Sequence, residues 1–188
     1  MARKMLLSWI VTFTLLHATL THNQEISVNN GGPWGVWGDL ENCPPGTVAT
    51  GFALKNEGPQ GNGDDTGLNA IKLFCTKPCE RIIQGEKMSL AGSWGSWTDI
   101  QWCPSGVLIR FALQVEGSQG NGDDTAANNI KFQCCDNSIL TGNGGRWGTF
   151  GDWSDKCQSG ICGIKTSVEP SQGKGDDTAL NGVVFRCC

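Results

Sequence analysis

From about residue 26 onward, apolar and polar positions alternate with period two. Val48-Ala-Thr-Gly-Phe52-Ala-Leu54-Lys-Asn-Glu57 places Phe52 and Leu54 on one face. Val107-Leu-Ile109-Arg-Phe111-Ala-Leu113-Gln-Val115-Glu116 does the same with Phe111 and Leu113. A second set of short runs ends in cysteine: Ile71-Lys-Leu73-Phe-Cys75, Ile130-Lys-Phe132-Gln-Cys134 and Val183-Val-Phe185-Arg-Cys187. Every run is bounded by Gly, Pro, Asn or Asp, so each predicts a strand closed by a turn. No amphipathic run of helical length interrupts them. The pattern predicts an all-β chain whose core holds Phe52, Leu54, Phe111, Leu113, Ile71 and Leu73.

The runs belong to a unit that occurs three times. Each copy opens on an aromatic, Gly-containing strand: Trp34-Gly-Val-Trp37, Trp94-Gly-Ser-Trp97 and Trp147-Gly-Thr-Phe150. An early cysteine follows (Cys43, Cys103, Cys157), then the alternating strand, an acidic loop and the strand with the late cysteine. The loops are the most uniform part. They read Glu57-Gly-Pro-Gln60-Gly-Asn-Gly-Asp64-Asp65-Thr66, Glu116-Gly-Ser-Gln119-Gly-Asn-Gly-Asp123-Asp124-Thr125 and Glu169-Pro-Ser-Gln172-Gly-Lys-Gly-Asp176-Asp177-Thr178, each reaching an Asn three residues later (Asn69, Asn128, Asn181). A repeat of this length means a triplicated structural unit, with boundaries near 26–79, 80–136 and 137–188. One such sheet cannot bury its apolar face alone, so three are expected to close around one axis as a three-faced prism. In each Trp-Gly-x-Trp opening the two aromatics are expected on opposite faces, one of them in the core, with most tryptophans filling the interior and its ends.

Composition adds a compartment. Met1-Ala-Arg3-Lys4 followed by the uncharged apolar run Met5–Leu16 reads as a secretory signal peptide over residues 1–21, leaving one domain over 22–188. No further apolar run is long enough to span a bilayer. The chain has 14 Lys and Arg against 18 Asp and Glu, and losing Arg3 and Lys4 makes it more acidic still. That balance argues against nucleic acid and anionic membrane as partners. The 10 cysteines lie beyond the leader and read as disulfides; zinc is disfavoured because C-x-x-C pairs are absent and the 2 histidines sit near the leader. Pairing early with late cysteine in each copy predicts Cys43–Cys75, Cys103–Cys134 and Cys157–Cys187. The remaining four suggest Cys162–Cys188 and Cys79–Cys135, with exchange of Cys187 for Cys188 left open.

Four readings compete for the acidic loops. Glycoside chemistry needs two carboxylates flanking one bond, and each loop carries three acids; yet a catalytic site is singular, whereas these acids are triplicated. A structural reading makes Gly61-Asn-Gly63 and its counterparts tight turns whose Asp and Thr side chains bond nearby backbone. Calcium would use the same oxygens, but the spacing differs from an EF-hand loop, and no metal or cofactor is expected. Sugar contact is the fourth, with Glu57, Asp64, Asp65, Glu116, Asp123, Asp124, Glu169, Asp176 and Asp177 as hydrogen-bonding residues beside stacking aromatics.

The Trp-Gly-x-Trp openings, the early and late cysteines and the three Gly-x-Gly-Asp-Asp-Thr loops together resemble the vitelline membrane outer layer protein 1 family, from about Ile26 to Cys188. The resemblance implies a β-prism I fold of three four-stranded Greek-key sheets with pseudo-threefold symmetry. It also implies a secreted component of an extracellular layer or secretion that contacts glycans or glycoproteins. A lysozyme-like transferase or hydrolase acting on N-acetylglucosamine oligosaccharides is the alternative it suggests. The family pattern carries eight cysteines rather than ten, which singles out Cys79 and Cys135.

Overall fold

The structure is a computed structural model that describes residues 24–58, 67–117, 127–170 and 179–188. The leader and the tips of all three acidic loops lie outside the described residues. The strands are β1 (Glu25–Ile26), β2 (Val36–Trp37), β3 (Glu41–Asn42), β4 (Val48–Asn56) and β5 (Leu68–Thr76). They continue with β6 (Gly85–Lys87), β7 (Ser96–Trp97), β8 (Gln101–Trp102), β9 (Leu108–Val115) and β10 (Ala127–Cys134). Last come β11 (Ile139–Thr141), β12 (Thr149–Phe150), β13 (Ile161–Val168) and β14 (Leu180–Cys187).

The long strands pair as three antiparallel hairpins, β4–β5, β9–β10 and β13–β14. Each hairpin is widened into a sheet whose main path is β6-β5-β4-β7, β11-β10-β9-β12 or β1-β14-β13-β2, with β8 added to the first and β3 to the third. The first two paths place three consecutive strands side by side and return the fourth beside the first, which is Greek-key order. The third has the same order once the N-terminal strands are counted after β14.

The sheets therefore do not coincide with the sequence repeats. The Trp-Gly-x-Trp strand of each copy does not join the hairpin of its own copy. Ser96–Trp97 pairs with Lys55–Asn56 of the preceding hairpin, Thr149–Phe150 with Gln114–Val115, and Val36–Trp37 with Ser167–Val168. An unpaired edge on β4, β9 or β13 would leave backbone N–H and C=O groups open to other chains. The following copy covers it, and the N-terminal segment covers the last one. β1 closes the far edge of that third sheet by pairing with β14.

All three hairpins carry the same irregularity. Ala49 pairs with Cys75 and Gly51 with Phe74, so Thr50 is an extra residue. Ile109 and Cys162 are the equivalent bulges in the other two hairpins. Each bulge turns its carbonyl to the early cysteine of the next copy: Cys103 N–H donates to Thr50 O at 2.9 Å, Cys157 N–H to Ile109 O at 2.9 Å and Cys43 N–H to Cys162 O at 2.8 Å. A bulge re-aims the backbone out of the ladder, and here it docks one unit on the next.

These contacts decide where the bridges run. Cys43–Cys75, Cys103–Cys134 and Cys157–Cys187 form as the spacing predicts, and so does Cys162–Cys188. Each of the first three joins a segment lying on one sheet to a strand of the next, so the three sheets are tied in a ring at the ends of the hairpins away from the acidic loops. The expected Cys79–Cys135 bridge is not formed; both residues are exposed thiols. Cys135 N–H donates to Val107 O at 2.9 Å; the bulge residue of this hairpin, Ile109, offers no sulfur where the third hairpin has Cys162, and Cys79 lies on the segment 77–84, which is longer than its counterpart 135–138 in the second copy.

Along the axis the core is phenylalanine. Phe52, Phe111, Phe132 and Phe185 are all fully buried and come from all three sheets. Their ring centroids lie 4.7 Å apart for Phe52–Phe132, 4.8 Å for Phe111–Phe185 and 5.3 Å for Phe132–Phe185. Leu54, Leu113, Ile71, Leu73, Ile130 and Ile164 complete it with no exposed surface. The tryptophans do not join this core, contrary to the expectation above. Trp34, Trp37, Trp94, Trp97 and Trp147 are 40–61% exposed. A glycine in the left-handed region separates the two aromatics of each opening. Strand parity cannot be carried across such a residue, so alternation does not assign their faces.

Phe132 touches Phe rings of every sheet, so Phe132→Ala is expected to destabilise the fold by about 3–5 kcal/mol, measured by denaturant unfolding. A loss below 1 kcal/mol would mean that the axis is not the packing centre. The three ring bridges close separations of 32, 31 and 30 residues. Removing any one pair with a double Cys→Ala substitution should therefore cost nearly the same, about 3 kcal/mol. Markedly unequal losses would show that native contacts, not chain restriction, set their worth.

Candidate functional site

The loop ends of the hairpins carry the residues that sequence analysis singled out. Glu57, Glu116 and Glu169 are half-buried and lie immediately beyond β4, β9 and β13. Two of them close the mouths of their loops: Glu57 N–H donates to Gly67 O at 3.0 Å and Glu169 N–H to Ala179 O at 2.8 Å. Asp64, Asp65, Asp123, Asp124, Asp176 and Asp177 lie outside the described residues. Asn69, Asn128 and Asn181, which end the motif, are buried to within 1%. Among the described residues, no group of three or more His, Cys, Asp and Glu stands together as a metal site.

These asparagines hold the aromatic turns in place. Their backbone carbonyls accept from Gly92 N–H at 2.8 Å, Gly145 N–H at 2.7 Å and Gly32 N–H at 2.8 Å, each two residues ahead of the first Trp of an opening. The Asn69 side chain also accepts from Trp94 N–H at 3.3 Å. From the other side, a polar residue of each first hairpin strand reaches the same turn. Lys55 Nζ donates to the carbonyls of Gly92 at 3.0 Å and Ser93 at 2.9 Å. Gln114 Nε2 donates to Arg146 O at 3.0 Å and Trp147 O at 2.8 Å, and Ser167 Oγ to Trp34 O at 3.3 Å. Lys55, Gln114 and Ser167 escaped sequence analysis because three different residue types do one job. Only their shared place in the aligned copies, two residues ahead of Glu57, Glu116 and Glu169, marks them.

Glycine then sets the position of each indole. Gly95 has φ +84° and packs on the Asn56–Glu57 peptide, where a Cβ would stand 2.4 Å from the Asn56 carbonyl carbon and 2.6 Å from Glu57 N. Gly148 packs the same way on Val115–Glu116, and Gly35 on Val168–Glu169. Only glycine tolerates both the left-handed φ and this approach. The neighbouring Trp94, Trp147 and Trp34 are thereby fixed at the bases of the three acidic loops, 53%, 57% and 61% exposed.

The second aromatic of each opening is treated differently. Lys72 Nζ lies 4.6 Å from the Trp97 ring, Lys131 Nζ 4.5 Å from Phe150 and Lys165 Nζ 5.4 Å from Trp37. An ammonium over an aromatic face is attracted by the ring quadrupole, so these rings are occupied on the sheet surface. Among the described residues no cation covers Trp34, Trp94 or Trp147 in this way. At the boundary between the first and third sheets, Trp94 and Glu169 both line a cleft of about 290 Å³ that also includes Val36, Leu90 and Pro170. A large apolar face beside a carboxylate suits a ligand with one apolar and one hydroxyl-bearing face.

Comparison with known proteins places this geometry. Residues 24–188 match the family described as vitelline membrane outer layer protein I. The chain belongs to the vitelline membrane outer layer protein I family. It is 48% identical over 165 residues to the Homo sapiens vitelline membrane outer layer protein 1 homolog, covering 87% of this chain and 82% of that one. The Mus musculus homolog is 43% identical over 175 residues, covering 92% of this chain and 87% of its own. Among solved structures, Calystegia sepium agglutinin superposes with a TM-score of 0.53 at 13% identity, over 87% of this chain and 95% of the lectin. Calsepa lectin in complex with a bisected glycan gives 0.51 at 11% identity, over 88% of this chain and 97% of that one. At such identities the likeness shows the fold, a β-prism of three sheets, and no more.

Gly95→Ala is expected to destabilise the protein by about 1–3 kcal/mol, because it introduces strain at a special backbone conformation. It should also shift the fluorescence environment of Trp94. Unchanged melting with unchanged emission would show that the Trp94 turn is not held by this approach.

Proposed function

We propose that this chain is a secreted, non-enzymatic component of an extracellular layer or secretion, and that it contacts glycans or glycoproteins at the loop end of the prism. The observation that carries the reading is the threefold recurrence of one arrangement. An open tryptophan is pinned by a left-handed glycine at the root of a loop bearing three acids. Indole faces stack on the apolar face of a pyranose, while carboxylates accept from its hydroxyls. The family, whose name refers to an egg-coat layer, supports the extracellular setting, as do four disulfides. The agglutinin and the glycan-bound lectin support a prism as a scaffold for sugar contact, although the fold alone does not assign the site.

Three equivalent contacts on one rigid body favour multivalent binding: each is weak, and several together hold a surface that displays many sugars. The test is binding of the secreted, oxidised protein to immobilised N-acetylchitohexaose and to an immobilised bisected N-glycan, read by surface retention and by tryptophan quenching. Trp94→Ala alone should weaken retention by about tenfold, and Trp34→Ala/Trp94→Ala/Trp147→Ala should abolish it, on the avidity arithmetic for linked sites. Wild-type protein that neither quenches nor binds would remove the glycan reading, and so would a triple variant that binds like wild type. Mass analysis of the same N-acetylchitohexaose after incubation reads the enzymatic alternative. New shorter and longer oligomers, lost on Asp64→Asn/Asp65→Asn but not on the corresponding changes in the other loops, would replace the proposal with that alternative.

A further inference from the structure

One corner of the molecule departs from its own threefold repeat. In two hairpins the bulge residue bonds the residue after the late cysteine, and the equivalent positions of the three hairpins are chemically different. Thr50 and Thr76 join their hydroxyls at 3.0 Å. Cys162 and Cys188 form a disulfide. Ile109 and Cys135 have no such bond, which leaves Cys135 an exposed thiol. The same corner receives the segment 77–84, whose extra length has no counterpart after β10. That segment carries the other exposed thiol, Cys79, together with Ile82 at 67% and Ile83 at 41% exposure.

The two thiols are brought to one turn. Arg81 Nη2 donates to Cys103 O and Pro104 O, both at 3.1 Å, and pins the segment on the turn that follows β8. Cys79 then lines a small cleft of about 120 Å³ together with Ser105 and Gly106. Cys135 meets the same turn: its Sγ lies 2.0 Å from where a Cβ on Gly106 would stand, and Gly106 has φ +82°. Asp136 fastens the contact by accepting from Ser105 N–H at 3.1 Å. Gly106 is thus a neighbour of both thiols. The remaining cysteines are paired, and the three bridges that tie the sheets together have Cys75, Cys134 and Cys157 buried to within 2%.

We propose that Cys79 and Cys135 are a thiol-exchange site, a reversible dithiol whose oxidised form latches the 77–84 segment onto the Cys103–Gly106 turn. The oxidant it requires is a low-molecular-weight disulfide of the glutathione class. One protein thiolate attacks a sulfur of that disulfide, forms a mixed disulfide and releases one thiol. The second protein thiolate attacks the protein sulfur of the mixed disulfide, forms Cys79–Cys135 and releases the second thiol. The two protein sulfurs are oxidised, the small disulfide is reduced to two thiols, and the two protons lost by the protein end on them. The exchange follows from access: these sulfurs are exposed, whereas the ring bridges present little surface to an attacking thiolate. This inference is independent of glycan contact, since the corner lies at the bridge end of the prism.

The test uses the full secreted chain, with its four bridges intact, equilibrated across ratios of reduced to oxidised glutathione and then alkylated. Toward oxidising ratios, Cys79 and Cys135 should lose alkylation together. The protein should form no disulfide between chains, lose the mass of two hydrogens with no glutathione adduct retained, and yield a Cys79–Cys135 cross-linked peptide. Cleavage by trypsin after Arg81 should slow at least tenfold, and mild dithiol reductant should restore it before any of the three bridges that tie the sheets opens. Cys79→Ser should leave Cys135 as a stable glutathione adduct, and Cys135→Ser should do the same for Cys79. Continued alkylation of both thiols at every ratio would overturn the proposal. Separate glutathione adducts on the wild-type chain, or bridges between chains, would also overturn it.

Discussion

Each central hairpin ends in an edge that its own repeat cannot cover. β4, β9 and β13 all expose a row of backbone groups, and each is paired by the aromatic strand that opens the following copy. Hydrogen-bond satisfaction at that edge is the constraint on which the architecture depends. At the third hairpin the segment that precedes the first supplies this pairing. The prism is therefore closed by its own N-terminal strands, and no repeat is complete by itself.

Closure explains the division of labour along the axis. At one end the bulges at Thr50, Ile109 and Cys162 accept the early cysteines, so the bridges necessarily cross between sheets. At the other end the same crossover strands bring Trp34, Trp94 and Trp147 to the roots of the acidic loops. Between the two ends, four phenylalanines fill the axis. One end is thus covalently clamped and the other is free to present side chains, which is how a rigid scaffold commonly carries a recognition surface.

Symmetry separates what serves the fold from what is particular to this chain. The asparagines at 69, 128 and 181, the left-handed glycines and the hairpin cores recur three times because three sheets need them. Several departures meet in one corner, at Trp102, Arg81, Cys79 and Cys135. Phe74 and Trp102 pack there at 5.7 Å, where the other copies have Asn42 and Lys156 ahead of their early cysteines. A repeat that tolerates such differences at one corner carries a local property there without disturbing the shared core.

Much of the fold was legible in the sequence because its decisive signals are local and triplicated. Period two assigned the hairpin strands and their buried faces. Phe52, Leu54, Phe111 and Leu113 are as buried as alternation requires, since a pleated strand leaves no other choice. The order of early and late cysteines indicated the bridges, although not that they cross between sheets. The candidate site was half legible: the acids announce themselves as a motif, whereas the Lys55, Gln114 and Ser167 tethers differ in type and share only a place. Tertiary structure alone decided which hairpin each aromatic strand joins, because edge pairing is set by closure of the whole ring and leaves no trace in local periodicity. It likewise decided that the tryptophans face solvent, since a left-handed glycine cancels the parity on which a sequence argument about faces depends.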